Sequence, residues 1–189
     1  RKNAIATLGT SLPSLSALQW FDLGENRLTQ IPPDIARLAD LKTLYLSDNQ
    51  LAALPAEIGQ LTQLTYLNLD RNALTALPAE IGQLKNLRWL RLNGNQLSNL
   101  PSEVGQLKQL QRLYLRANAF TAIPAPVGEL PMLTDLSVSD NKIADIPEWI
   151  GQLQNLERLD CYNCGVQSIP DAIAGLKKLF ELLCAERMG

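Results

Sequence analysis

The sequence predicts an α/β solenoid in which short parallel strands stack into one curved sheet and short helical segments lie on the outer side. Three observations predict this fold: a repeat with a fixed period of 23 positions, alternating leucines inside each copy, and an asparagine at one fixed place. The octet LPAEIGQL at 54–61 returns unchanged at 77–84, and related octets begin at positions 31, 100, 123, 146 and 169. Repeats of this kind each form one structural unit, and stacked units bury a continuous core.

Each copy contains a short predicted strand. Residues 64–74 read LTYLNLDRNAL and residues 87–97 read LRWLRLNGNQL, so leucines alternate with variable residues. Alternate side chains of a strand point to opposite faces, so the leucines enter the core and the variable residues face outward. A single strand of this kind cannot bury its leucines, whereas neighbouring copies in a parallel sheet cover them.

An asparagine follows the strand in six consecutive copies. It stands at positions 26, 49, 72, 95, 118 and 141, and Cys164 takes the next place. An asparagine amide both donates and accepts hydrogen bonds, so we expect it to pair with backbone groups of the adjacent copy.

A proline and a glycine mark the predicted outer segment. The proline ends the strand because it lacks an N–H group for the sheet. The apolar residues of x-E-I-G-Q-L lie three apart, which indicates a helical turn or a 3₁₀ piece. The glycine recurs where copies pack closely or where the backbone needs freedom, at Gly59, Gly82, Gly105, Gly128 and Gly151. An outer layer wider than the strands would curve the array, with the sheet on the concave side.

The full pattern, L-x-x-L-x-L-x-x-N/C-x-L, resembles the leucine-rich repeat along the whole chain. The resemblance implies a right-handed βα superhelix. The variant LPxEIGxLxxLxxLxLxxNxL is similar to those of plant Ras-group proteins, animal Ras-pathway scaffolds, Roco-type GTPases and bacterial effector proteins. The near-identity of neighbouring copies suits a bacterial protein.

The repeats predict a single domain over residues 1–189, with seven complete copies and a partial copy at each end. Asn3 precedes Asn26 by the same interval that separates Asn26 from Asn49, so Arg1 falls inside a copy whose strand is absent. At the other end Arg187 occupies the asparagine position, where it cannot take over that role. We therefore expect a fragment of a longer protein, whose regular array ends near Arg187.

The composition excludes several classes of function. The formal net charge of −2 provides no field that would favour nucleic acid or an anionic membrane. The sequence has no apolar run long enough to cross a bilayer and no signal peptide. Histidine is absent, which removes Ser–His and Cys–His catalysis and the commonest metal ligand. We predict no enzyme activity, no cofactor, no metal, and neither a nucleic-acid nor a membrane partner.

The three cysteines, Cys161, Cys164 and Cys184, are an odd number and cannot close into a disulfide framework. No Asn-x-Ser/Thr glycosylation site occurs either, so we predict a cytoplasmic location, in a bacterial cytosol or in a host cytosol if the protein is a secreted effector. Cys161 and Cys164 have the spacing of redox and zinc motifs. They occupy a core-leucine position and an asparagine position, so we expect packed thiols.

The candidate functional residues are the large variable residues on and beside the strands. We predict a partner-binding concave face formed by Trp20, Tyr45, Tyr66, Arg71, Arg88, Trp89, Arg91, Arg112, Tyr114 and Arg116. Trp, Tyr and Arg are the residue types enriched at interface hot spots. The alternative is that strands simply favour aromatic residues and that Arg–Asp pairs cover the surface.

The central arginines lie between acidic residues of the flanking copies, which suggests a protein partner with an acidic segment. On the outer side, Glu57, Glu80 and Glu103 form a row that we interpret as a solvated face rather than as catalytic carboxylates. Trp149 replaces a glutamate in this row and is either a second contact residue or a packing residue.

The sequence thus predicts a non-catalytic protein-interaction module and leaves its oligomeric state open. The alternative is the substrate-recognition domain of a larger enzyme. A bacterial effector ubiquitin ligase, a kinase or a Roco-type GTPase would fit the resembling families, with the catalytic domain outside this chain.

Overall fold

Eight strands and eight 3₁₀ helices alternate over the part of the chain that the structure, a computed structural model, describes: residues 3–9 and 12–186. The strands β1–β8 are Trp20–Asp22, Thr43–Tyr45, Tyr66–Asn68, Trp89–Arg91, Arg112–Tyr114, Asp135–Ser137, Arg158–Asp160 and Glu181–Leu183. The helices η1–η8 are Leu12–Ser14, Pro33–Arg37, Ala56–Gln60, Ala79–Gln83, Ser102–Gln106, Ala125–Glu129, Glu148–Gln152 and Asp171–Gly175. Successive strands begin at one constant interval along the chain, which equals the period of the sequence repeat.

The strands form one parallel sheet in chain order, β1 to β8. The register pairs each strand residue with its equivalent in the next copy, so Leu67 lies beside Leu90. The solenoid predicted from the repeat is therefore confirmed. The outer layer consists of 3₁₀ helices, and the described residues contain no α-helix.

The core lies between the sheet and the 3₁₀ helices. The strand leucines Leu44, Leu67 and Leu90 have no exposed surface, and neither have Ile58 and Ile81 of the outer layer. Burying one such side chain stabilises the fold by about 1.5–3 kcal/mol. Since successive copies contribute equivalent apolar residues, the core runs along the array, and the equivalent residues of the last copy are partly buried.

The repeated asparagines bind the backbone of two consecutive copies. The side-chain amide of Asn95 donates to the carbonyl oxygens of Leu69 and Leu92, both at 3.0 Å, and its oxygen accepts from the N–H of Leu74 at 3.0 Å. Asn49, Asn72, Asn118 and Asn141 make equivalent contacts. The predicted role of this position is confirmed, and we call these residues the asparagine ladder.

The residue before each ladder position adopts a left-handed backbone conformation that the sequence analysis did not predict. The φ angles lie between 53° and 66° at Glu25, Asp48, Arg71, Gly94, Ala117, Asp140 and Asn163. Gly, Asn and Asp tolerate this conformation best, so their presence at four of these positions was an available signal.

The glycines of the outer layer allow neighbouring 3₁₀ helices to pack closely. A Cβ atom at Gly82 would lie 2.5 Å from the carbonyl oxygen of Glu103, and one at Gly59 would lie 2.5 Å from that of Glu80. None of the five recurring glycines has a positive φ angle, so close packing explains them and backbone freedom does not.

The partial copies at the two ends follow the same plan where the structure describes them. The oxygen of Asn26 accepts a hydrogen bond from the N–H of Ile5 at 3.0 Å, as in a complete copy. At the other end β8 is present and pairs with β7. Arg1 and Arg187, where the sequence predicts an incomplete copy and the end of the ladder, lie outside the described residues.

Candidate partner-binding face

The first and third residues of each strand project from the sheet on the side away from the core. This follows from the burial of the middle residue, because successive side chains of a strand alternate between the two faces. We call the surface formed by these first and third strand residues the sheet face. It carries Trp20, Asp22, Thr43, Tyr45, Tyr66, Asn68, Trp89, Arg91, Arg112, Tyr114, Asp135, Ser137, Arg158 and Asp160 from β1–β7.

Four aromatic side chains form a continuous row across β1–β4, and we call them the aromatic row. Ring centroids are 5.2 Å apart for Trp20 and Tyr45, 5.0 Å for Tyr45 and Tyr66, and 5.5 Å for Tyr66 and Trp89. Arg112 ends the row, with its Cζ atom 4.2 Å from the ring centroid of Trp89. These distances are within the range of favourable aromatic and cation–π contacts.

The aromatic row is partly open to solvent and chemically amphipathic. Trp20 is 59% exposed, whereas Tyr45, Tyr66 and Trp89 are half-buried against one another. Burial raises the pKa of the Tyr66 phenol, as does its hydrogen bond with Tyr45, while the charge of Arg91 acts in the opposite direction. The Tyr66 hydroxyl therefore stays neutral, and the row presents flat apolar rings with polar tips.

Arg91 is held in place beside the row by a buried carboxylate. Asp70 has a side chain only 2% exposed, and it accepts hydrogen bonds from Arg91 Nε at 2.8 Å and from the N–H of Asn93 at 2.8 Å. The Arg91 guanidinium also lies over the Tyr114 ring, 5.4 Å from its centroid. Asp70 thus fixes the orientation of Arg91, a role that the sequence analysis did not assign to it.

Two more of the predicted arginines pair with carboxylates on the turns that follow the strands. Arg71 donates to both carboxylate oxygens of Asp48 at 2.5 Å, and Arg116 Nε donates to Asp140 at 2.7 Å. These arginine side chains are 62% and 61% exposed. With Arg91, three of the five predicted arginines have their charge balanced inside the protein, as in the surface-pair alternative.

The sheet face over β5–β7 consists of polar and charged residues apart from one aromatic residue, Tyr114. The Tyr114 hydroxyl donates to Asp135 at 2.9 Å, and burial together with this hydrogen bond raises the pKa of the phenol. Ser137 donates to Asp160 at 2.9 Å, and Arg158 lies 3.1 Å from a carboxylate oxygen of Glu181. The two halves of the sheet face therefore differ in chemistry.

The ten predicted site residues divide into three groups in the structure. Seven lie on the sheet face: Trp20, Tyr45, Tyr66, Trp89, Arg91, Arg112 and Tyr114. Arg71 and Arg116 lie on turns after the strands. Arg88 precedes β4 at the opposite edge of the sheet, where its side chain lines a groove with Lys42 and Lys85. The sequence analysis missed these two lysines, although each stands shortly before a strand.

The cysteines and the outer tryptophan occupy packed positions. Cys161 and Cys164 are buried, and the Cys164 thiol donates to the carbonyl oxygen of Val138 at 3.1 Å, replacing one ladder contact. Burial raises the pKa of the Cys161 thiol, which disfavours the reactive thiolate. Trp149 is half-buried, packs on the core, and lies directly against Gly128.

Residues 3–9 and 12–186 contain no group of three or more Cys, Asp or Glu side chains placed to hold a metal ion. No helix in the same part of the chain is both long enough and apolar enough to span a membrane.

The repeat geometry agrees with comparisons to known proteins. Residues 1–51 match a family model described as a leucine rich repeat, residues 56–142 one described as a leucine-rich repeat region, and residues 131–179 one described as leucine rich repeats (2 copies). The chain belongs to the leucine-rich-repeat family. No curated protein matches this leucine-rich-repeat chain.

Several solved leucine-rich-repeat structures are similar to the chain. A leucine-rich-repeat protein of Leptospira interrogans is 27% identical with a TM-score of 0.54, over 97% of this chain and 65% of its own. PEPR1, in the PEPR1–AtPEP1 structure, is 27% identical with a TM-score of 0.78, over 98% of this chain and 31% of its own.

A third structure is the ectodomain of the Arabidopsis thaliana membrane receptor kinase GASSHO1/SCHENGEN3 in complex with CASPARIAN STRIP INTEGRITY FACTOR 2. It is 30% identical with a TM-score of 0.71, over 98% of this chain and 26% of its own. This leucine-rich-repeat chain therefore spans less than two thirds of the length of each of the three structures.

Proposed function

We propose that this leucine-rich-repeat chain is a non-catalytic recognition module that binds a protein partner on its sheet face, centred on the aromatic row. The observation that carries the proposal is the row itself: Trp20, Tyr45, Tyr66 and Trp89 in one line, linked to Arg112. Contiguous exposed apolar surface of this kind marks interaction sites in soluble proteins. Aromatic residues and arginine supply most of the binding energy at protein interfaces.

The core does not require these side chains. At the position that Trp89 occupies in β4, other copies have Thr43, Arg112 or Asp135, and the sheet has the same register at all of them. A position at which the fold accepts different residue types is available for recognition of a partner. The concave shape expected of such an array would bring the side chains of the aromatic row toward one ligand.

The comparisons support the same class of function. One of the similar structures, GASSHO1/SCHENGEN3, is described as being in complex with CASPARIAN STRIP INTEGRITY FACTOR 2, and it is 30% identical to this chain. Another, PEPR1–AtPEP1, names two components, and it is 27% identical to this chain. A binding module of the same repeat type is the simplest function for this chain.

Affinity capture with matched variants tests the proposal. Tagged wild-type chain, a Tyr66→Ala/Trp89→Ala variant and a Phe180→Ala variant are incubated with an extract of the source cells, and bound proteins are quantified by mass spectrometry. Phe180 is the control because it is an aromatic residue with 76% exposure that lies outside the sheet face. We expect the specific partner to fall at least tenfold with the double variant, since two hot-spot residues each contribute about 1–2 kcal/mol.

The control variant should capture the partner as well as the wild type does. Thermal unfolding of all three proteins verifies that the substitutions leave the fold intact. If the double variant retains the full set of specific partners, the aromatic row is not the binding site.

A further inference from the structure

A groove with basic character runs along the edge of the sheet where the chain enters the strands. We call it the flank groove; its main lining residues are Lys42, Gln63, Thr65, Lys85, Asn86 and Arg88. Its volume is about 370 Å³. Three of the lining residues are cations and none is a carboxylate, although the protein as a whole has a formal net charge of −2. Asp40, the acidic residue nearest to Lys42 in sequence, does not line the groove.

The cations of the flank groove are not neutralised by the protein. Lys42 Nζ donates to the neutral side chain of Gln19 at 3.2 Å, and Lys85 Nζ donates to that of Gln106 at 2.9 Å. The Arg88 guanidinium has no hydrogen bond or ion pair with any residue in the described ranges 3–9 and 12–186. Arg71, Arg91 and Arg116 differ in this respect, because each is bound to an aspartate.

The floor of the flank groove is held in position by the repeat. Asn86 Nδ2 donates to the carbonyl oxygen of Thr62 at 2.9 Å, and Thr65 Oγ1 donates to that of Lys42 at 3.0 Å. The N–H of Arg88 donates to the carbonyl oxygen of Thr65 at 2.9 Å. Lys42 and Arg88 are two strands apart, or about 10 Å at the usual strand spacing. A preorganised polar floor lowers the entropic cost of binding a ligand.

We propose that the flank groove binds carboxylate groups of an acidic segment of the protein partner. The inference rests on the proposed function, because the partner lies on the sheet face and its acidic segment continues over the adjacent edge. Arg88 and Trp89 are neighbours in sequence, so the groove and the aromatic row form one continuous surface. Charge-assisted hydrogen bonds from unpaired lysine and arginine to carboxylates are stronger than those between neutral groups.

The flank groove lies away from the centre of the predicted arginine cluster. An anion at Arg71, Arg91 or Arg116 would have to compete with an aspartate that is already bound. An anion in the flank groove displaces only neutral amide partners and water.

Titration of the ¹⁵N-labelled chain with a hexaglutamate peptide, followed by NMR, tests the proposal. We expect saturable shifts of the backbone amide signals of Thr65, Asn86 and Arg88, and of the side-chain amide signals of Asn86. A hexalysine peptide of the same length should leave these signals unchanged. In a Lys42→Gln/Lys85→Gln/Arg88→Gln variant, the affinity for hexaglutamate should fall at least tenfold.

The matched control is a Lys142→Gln/Lys177→Gln/Lys178→Gln variant, which removes the same number of charges from exposed positions outside the groove. Its affinity for hexaglutamate should stay within twofold of the wild type. The inference is overturned if the wild type shows no saturable binding, or if both variants lose affinity equally. It is also overturned if a mixed-sequence single-stranded oligonucleotide occupies the groove more tightly than the peptide.

The titration tests the flank groove and the capture experiment tests the sheet face, so either result can be negative without the other. The hexaglutamate probe requires no identified partner and does not depend on Trp89. A negative titration together with partner loss in the Tyr66→Ala/Trp89→Ala variant would reject the flank groove and leave the sheet face in place.

Discussion

At the scale of single residues, the asparagine ladder explains why one polar residue recurs in a leucine-rich core. Asn95 is 8% exposed, and its amide group bonds the N–H of Leu74 and the carbonyl oxygens of Leu69 and Leu92, which belong to two consecutive copies. A buried backbone group without a partner costs free energy comparable to a lost hydrogen bond. Each ladder residue therefore joins its own copy to the preceding copy.

Asn95→Ala should lower the free energy of unfolding by about 1–3 kcal/mol, because it leaves the Leu74 N–H without a partner. The carbonyl oxygens of Leu69 and Leu92 keep the amides of Asn72 and Asn118 as donors. Urea denaturation followed by circular dichroism measures the change. Gln96→Ala is the control: its side chain is exposed, and the substitution should cost less than about 0.5 kcal/mol. Equal losses for the two variants would contradict the proposed role of the ladder.

The residue scale also shows which parts of the site were predictable. Strand alternation places Tyr66 and Trp89 on the sheet face, so the sequence was sufficient for the aromatic row. The pairing of Arg71 with Asp48 could not be predicted, because it depends on the left-handed turns at both positions. The burial of Asp70 depends likewise on its contacts with Arg91 and Asn93, which no single-copy pattern encodes.

At the scale of elements, each copy consists of a three-residue strand and a 3₁₀ helix. Each of the helices η2–η8 follows a proline, which is in an extended conformation before all of them except η6, for example Pro78 at φ −68° and ψ 149°. Each helix ends when the N–H of the next leucine bonds the carbonyl oxygen three residues earlier, as Leu84 does to Ile81. The sequence predicted this element as a helical turn or a 3₁₀ piece. The apolar spacing alone could not decide between them, since both place residues three apart on one side.

Gly82→Ala tests whether close packing between the 3₁₀ helices η4 and η5 stabilises the array. The new Cβ atom would meet the backbone of Glu103, so the free energy of unfolding should fall by about 1–3 kcal/mol. Gly175→Ala in η8 is the matched control, because no atom lies within 4 Å of its Cβ position.

The control should change the free energy of unfolding by less than about 0.5 kcal/mol, or increase it slightly, since alanine restricts the unfolded chain. A Gly82→Ala variant as stable as the wild type would show that the neighbouring helices can separate without cost.

At the scale of the whole molecule, the residues that stabilise the array are distinct from the residues available for binding a partner. Core leucines, ladder residues and outer glycines recur from copy to copy, and the large variable side chains concentrate on one face of the sheet and one edge. The aromatic row covers β1–β4, while β5–β8 carry a polar network that contains Tyr114 and Asp135. A partner that binds the sheet face would therefore meet apolar rings at one end and polar groups at the other.

Site-specific photo-crosslinking tests this account most directly. One protein carries p-benzoylphenylalanine in place of Tyr66 on the sheet face, and a second carries it in place of Glu80 in the outer helix η4. Both are irradiated in an extract of the source cells, and the crosslinked proteins are identified. The account predicts a specific crosslink from position 66 and none from position 80. A partner crosslinked from position 80 alone would contradict recognition through the sheet face.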